Sequence, residues 1–183
     1  MKNYTTAVFD LDGTIFDSSE GIIASLAHVF RICGCQPPPP EELFKFIGPP
    51  LCDAFVNIMG FTKERSRELT IAFQEHYSAG AIYLAKPYEG IFQLLDVLKE
   101  KGLKLAVATY KPQPLVDLLA QRFQLFRWMD AVCGADGTAR TKALIIEKAL
   151  KQCGSLPGEA VMIGDTRQDR VGALEAGTDF IGV

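Results

Sequence analysis

The sequence predicts an α/β fold, a doubly wound parallel sheet carrying an inserted helical domain. Two observations lead there. After Pro87, short continuous apolar runs alternate with amphipathic helical stretches, the pattern of parallel strands covered on both faces. One further apolar run, "YTTAVF" at residues 4 to 9, lies at the amino end, separated from the rest by residues 18 to 85, which read almost entirely as helix.

Taken in order, "YTTAVF" reads as a buried strand running into the turn Asp-Leu-Asp-Gly-Thr. "DSSEGIIASLAHVFRICG" follows with Asp17 and Glu20 at capping-box spacing and Ile22, Ile23, Leu26, Val29 and Phe30 on one helical face. Pro37 to Pro40 form a stiff connector between a helix ending near Cys33 and Gly34 and one starting at Glu41. "EELFKFIG", "PPLCDAFVNIMG" and "TKERSRELTIAFQEHYSAGAIYLA" continue as helices, punctuated by Gly48-Pro49-Pro50 and Gly60. From there helix "EGIFQLLDVLKEKG" leads to strand "KLAVAT", "PLVDLLAQRF" to "DAVCG", "TKALIIEKALKQCG" to "AVMIGD", and "RQDRVGALEAG" to "DFIGV". Residues 1–14 and 87–183 are thus expected to form the core, and 15–86 the insertion.

With 183 residues, 48% apolar content and a net charge of -3, the chain is long enough to bury a core and lacks the basic excess that nucleic acid or an anionic membrane would favour. No run approaches the roughly 18 apolar residues of a membrane span, and "MKNYTTAVFD" lacks the apolar core of a signal peptide. Five cysteines, Cys33, Cys35, Cys52, Cys133 and Cys153, follow neither a disulfide nor a zinc spacing. These readings predict a cytoplasmic protein, monomer or homodimer, with no nucleic-acid or membrane partner.

Ligands of such sheets bind beyond the carboxyl ends of the strands. The first predicted strand ends in Asp10 and Asp12, the second in Thr109, and the fourth in Gly164-Asp165-Thr166, with Asp169 one turn into the next helix. The loop "GADGTARTK" after the third delivers Lys142 to a helix start. Two carboxylates as close as Asp10 and Asp12 call for a cation beside them. Hard oxygen ligands favour Mg²⁺, and the whole set suits phosphoryl transfer. Asp10 is expected to attack phosphorus, and Asp12 to protonate the leaving oxygen and then activate water. Thr109, Lys142 and the backbone amides after Asp10, at Leu11 and Asp12, are expected to hold the phosphate oxygens, with Tyr110 lining the same pocket.

"DLDGTIFDS", "VATYKP", the lysine of "RTKALI" and "MIGDTRQD" resemble, in order, the four motifs of the haloacid dehalogenase superfamily, specifically phosphatases of its phosphoglycolate phosphatase-like group. "FIGPPL" at 46 to 51 also looks like that group's cap, and "KPYEGI" like its return into the core. The resemblance implies a metal on Asp10, the backbone carbonyl of Asp12 and Asp165, with Asp169 supporting the metal shell or Lys142. It also implies that residues 15–86 form a cap that closes over the site and reads the leaving group. Tyr110 stands where the group often has a smaller polar residue, which points to a narrower pocket. The chain stops at Val183, on a strand, where relatives usually continue for another strand and helix.

Each residue also has a plain structural reading. Asp10 and Asp12 suit turns, Thr109 a strand, and Asp169 a helix cap, whereas the helix dipole disfavours Lys142 at a helix start. Asp17 is expected to cap the first helix, and His28 and His76 to be structural. Arg140 is a candidate for an anionic substrate group. The expected activity is Mg²⁺-dependent hydrolysis of a small phosphorylated metabolite, with 2-phosphoglycolate foremost. A 5'-nucleotidase, a sugar phosphatase and a β-phosphoglucomutase-like phosphomutase are the alternatives, and a non-catalytic phospho-signalling or binding module is the remote one. Asp12 argues against a dehalogenase, and the plain surroundings of Lys45 and Lys63 against a phosphonatase.

Overall fold

The computed structural model describes residues 3–183, so the first two residues of the segment expected over 1–14 lie outside it. In chain order, β1 (Thr6–Phe9) is followed by the short extended β2 (Phe16–Asp17), helices α1 (Ser19–Ile32), α2 (Pro40–Leu43), α3 (Leu51–Met59) and α4 (Lys63–Ala79), and the short extended β3 (Lys86–Pro87). Then come α5 (Ile91–Glu100), β4 (Lys104–Pro112), α6 (Gln113–Arg122), β5 (Ala131–Ala135), α7 (Lys142–Cys153), β6 (Ala160–Gly164), α8 (Arg167–Ala176) and β7 (Asp179–Gly182). The chain divides into two compact units, the residues up to Phe16 with Pro87–Val183, and Asp17–Lys86.

The first unit is a five-stranded sheet in the order β5-β4-β1-β6-β7, with every neighbouring pair parallel. The central β1 has all four residues buried, and Val8 lies opposite Ala106 on one side and Met162 on the other. Val8, Ala106, Ala108, Ile145, Met162 and Ala173 belong to one buried cluster beneath α7 and α8. Ala7, Leu105 and Val107, of the other strand parity, are equally buried, so both faces are covered.

β4 runs three residues past the expected "KLAVAT", to Pro112, and its pairing with β5 shifts register between Ala108 and Pro112. Such an irregularity re-aims side chains at a strand end. Here it carries Thr109, Tyr110 and Lys111.

In the second unit Leu26, Val29 and Phe30 of α1 are buried as expected, while Ile23 is half-buried. Phe30, Phe46 and Phe55 meet edge to face, with centroids 5.4 to 6.3 Å apart. The capping box expected at Asp17 and Glu20 does not form. Ser18 holds the N-cap position, Asp17 accepts from Ser19 N at 3.0 Å, and Glu20 pairs with Lys86 at 2.6 Å. Pro40 is the first residue of α2 rather than part of the connector, a position where a missing N–H costs nothing. The helix expected from Glu41 tightens after Leu43 into a 3₁₀ turn, Phe44–Phe46.

Candidate active site

Strand parity decides where the first acid points. Thr6, on the same face of β1 as Val8, donates to Ser155 beyond the end of α7, and the next position of that parity is Asp10. Asp10 is 5% exposed, and Lys142 Nζ donates to its Oδ1 at 2.5 Å.

Lys142 is the first residue of α7, capped by Thr141, whose Oγ1 accepts from Leu144 N at 3.3 Å. Its ammonium also meets Asp169 Oδ1 at 2.5 Å, so one buried cation bridges two buried carboxylates. Burial draws the lysine's pKa down, but Asp10 and Asp169 outweigh it, leaving Lys142 above its ordinary value and charged. For Asp10 the balance is reversed. Burial pushes its pKa up to about 6, against the pull of Lys142 and with a push from Asp169 and Asp12.

Asp169 closes a capping box with Thr166. Asp169 N donates to Thr166 Oγ1 at 3.2 Å, while Thr166 N and Oγ1 donate back to Asp169 Oδ2 at 3.0 and 2.5 Å. Asp169 thus uses Oδ2 to cap α8 and Oδ1 to hold Lys142. Asp165 follows β6 and accepts from Thr14 Oγ1 at 3.3 Å. Its nearness depends on Gly13, at φ +84°, where an added Cβ would stand 2.3 Å from Asp165 Oδ2.

Asp10, Asp165 and Asp169 place carboxylate oxygens within 4.8 Å of one another. Asp12 lies just beyond β1, with its Oδ2 2.8 Å from Lys111 Nζ in a buried pair. Four carboxylates thus face two ammonium groups in this neighbourhood. The hard oxygen donors and the excess negative charge fit a divalent cation such as Mg²⁺. Both oxygens of Asp169 are engaged, Oδ1 by Lys142 and Oδ2 by Thr166.

The other expected residues fall as follows. Thr109 is 2% exposed, and its Oγ1 accepts from Lys111 N at 3.3 Å. Leu11 has a buried side chain, and its carbonyl accepts from Thr14, Ile15 and Phe16, which shapes the turn. Tyr110 Oη accepts from Lys142 N at 3.1 Å, and its ring centroid is 5.7 Å from Lys142 Nζ. Arg140 is exposed in the loop before α7 and is not among the residues lining the cleft described next. A cleft of about 410 Å³ is lined by Tyr110, Thr141, Lys142, Arg167, Gln168 and neighbouring residues of α8.

Sequence reasoning passed over two residues. Lys111 was hidden because the strand was expected to stop at Thr109. The signal was its two-residue spacing from Thr109 in "VATYKP". Asp136 was read only as part of a loop, yet its carboxylate accepts from Thr138 N, Thr138 Oγ1, Ala139 N and Lys148 Nζ at 2.6 to 2.8 Å, tying that loop to α7.

A parallel α/β core with an inserted helical unit, and acids and lysines gathered at its strand ends, defines a class of phosphoryl-handling hydrolases. The family model "Haloacid dehalogenase-like hydrolase" matches residues 7–183, and the chain belongs to that family. A 5'-nucleotidase of Pseudomonas aeruginosa is 35% identical over 98% of this chain and 82% of its own length. A tyrosine-protein kinase, PtkA, of Mycobacterium tuberculosis is 33% identical over 95% of this chain, which spans 60% of it. A pyrophosphatase, PpaX, of Halalkalibacterium halodurans is 32% identical over 94% and 80%. The crystal structure of a predicted phosphatase from Clostridium acetobutylicum superposes with a TM-score of 0.92 at 34% identity, covering 99% of this chain and 85% of that one. The enzyme class that the family and these relatives define is a phosphatase.

Proposed function

We propose that the chain is a Mg²⁺-dependent phosphatase of small phosphomonoesters that works through a phosphorylated Asp10. The observation that carries this is the buried Asp10 carboxylate, oriented by Lys142 at 2.5 Å with Asp165 and Asp169 beside it. Asp10, the backbone carbonyl of Asp12, and Asp165 would hold the cation. When bound, it supplies positive charge that lets a phosphate dianion approach these acids.

Asp10 attacks phosphorus, the ester oxygen leaves with a proton from Asp12, and the aspartyl phosphate forms. Asp12 then takes a proton from water, which attacks phosphorus and frees Asp10 and inorganic phosphate. Lys142, Thr109 and the amides of Leu11 and Asp12 receive the phosphate oxygens. Residues 15–86 act as a cap over the site and select the alcohol. A cytoplasmic location is supported by the free state of all five cysteines.

The reading takes 2-phosphoglycolate as the leading substrate. Nucleoside 5'-monophosphates form the second class, supported by the relative named a 5'-nucleotidase. Phosphate release should be measured across a metabolite panel with Mg²⁺ and with chelator. Activity is expected to require the metal and to fall by at least about a thousandfold in Asp10→Asn. Full activity in that variant overturns the mechanism, and turnover of 2-phosphoglycolate no better than the panel's background removes that substrate.

A further inference from the structure

Tyr110, expected to line the substrate pocket, borders the cleft beside Lys142, and its polar contact goes to the start of α7. On β4 it shares the parity of Ala106 and Ala108 and packs against the same cluster beneath α7. Its phenolic oxygen accepts the backbone N–H of Lys142, one of the first helical N–H groups that have no partner inside the helix. Its ring faces the ammonium of the same residue at 5.7 Å. Lys142 is therefore held at both ends by one side chain. A lysine has four side-chain torsions to fix, and this one is 2% exposed while making two 2.5 Å contacts. Tyr110 and Lys142 also line the same cleft of about 410 Å³, so truncating the ring widens the cleft toward the ammonium.

From this geometry we infer that Tyr110 is a positioning residue: it fixes Lys142 so that the ammonium stays aimed between Asp10 and Asp169, and does not itself recognise substrate. The inference rests on the proposed phosphatase reading for its kinetic consequence. Its structural part stands independently of it.

Two variants test the idea. Tyr110→Phe keeps the ring and loses the acceptor, and Tyr110→Ala loses both. Amide hydrogen exchange at Lys142 is expected to quicken about tenfold in Tyr110→Phe, with the thermal transition showing the protein folded. In phosphate release, kcat should fall about threefold in Tyr110→Phe and about thirtyfold in Tyr110→Ala, with KM changing less than about threefold in both. A rise in KM at unchanged kcat in Tyr110→Ala would show a direct substrate contact and overturn the inference. Unchanged Lys142 exchange in Tyr110→Phe overturns it as well. If the wild-type protein releases phosphate from no ester, the functional reading falls, while the exchange measurement still decides the Tyr110 contact.

Discussion

At the level of single residues, the charges at the site hold one another in place, and the backbone makes room for them. Gly172 of α8 lies so close to α7 that an added Cβ would stand 2.6 Å from Lys142 Cβ, which lets the lysine stem pass between the helices. Asp10, Asp12 and Asp165 could be picked out in the sequence because each falls where an apolar run gives way to polar residues, and Asp169 and Lys142 because each opens the helix that follows such a strand end. Lys111 was not, because a continued strand and a loop read alike after "VAT". Its pairing with Asp12 is nonetheless consequential, since the two side chains are 5% and 12% exposed. Removing one partner of a buried ion pair leaves the other charge desolvated, at a cost of about 3 kcal/mol. Lys111→Ala is therefore expected to lower the melting temperature by roughly 6 to 12 °C for a chain of this size, followed by circular dichroism. A change of under a degree would show that Lys111 is not what stabilises the Asp12 charge.

At the level of elements, the alternation of strands and helices after Pro87 was readable because short continuous apolar runs and longer amphipathic stretches differ in length as well as in period. Helix ends were readable only in part: Gly60 ends α3 and Asp169 caps α8 as the sequence suggested, but competing partners decided the cap of α1. Glu20 is drawn to Lys86 instead of an N-cap, and Thr166 and Asp169 build the box expected further upstream. The pairing of α1 with α4 was likewise hidden, although both histidines were expected to be structural. The rings of His28 and His76 stack with centroids 4.2 Å apart. Ser25 Oγ is 2.9 Å from His76 Nδ1, and Arg31 donates to His28 Nδ1 at 3.1 Å, which requires that nitrogen to be unprotonated. Desolvation, His76 and then Arg31 hold His28 below the usual histidine range. A pKa lower in the folded state means that the unfolded chain binds the proton more readily. The contribution is therefore present above pH 6.5 and is lost as pH falls through the folded value. Thermal melts between pH 8 and pH 5 should show wild-type stability declining below about pH 6.5 more steeply than that of His28→Gln. Parallel curves for the two proteins would mean that His28 is not linked to folding.

At the level of the whole molecule, the sheet brings together β1 and four strands that follow it only after the 17–86 unit. The two ends of that excursion are already joined within the core unit, where Tyr88 N donates to Ile15 O at 3.1 Å. A short linker can therefore replace residues 17–86 without pulling the strands apart, and shortening a loop lowers the entropy cost of closing it. The acids, Lys111, Lys142 and the buried cluster beneath α7 and α8 all belong to the retained part. The excised protein is expected to keep the circular dichroism of an α/β core and a cooperative melt. If the insertion is the cap proposed above, it should still hydrolyse p-nitrophenyl phosphate, at about a hundredth of the original rate because water is no longer excluded, and should lose most discrimination among metabolite phosphates. A folded core that still ranks the metabolite panel as the intact chain does would assign substrate choice to the core, and would leave the helical unit without the role of reading the alcohol.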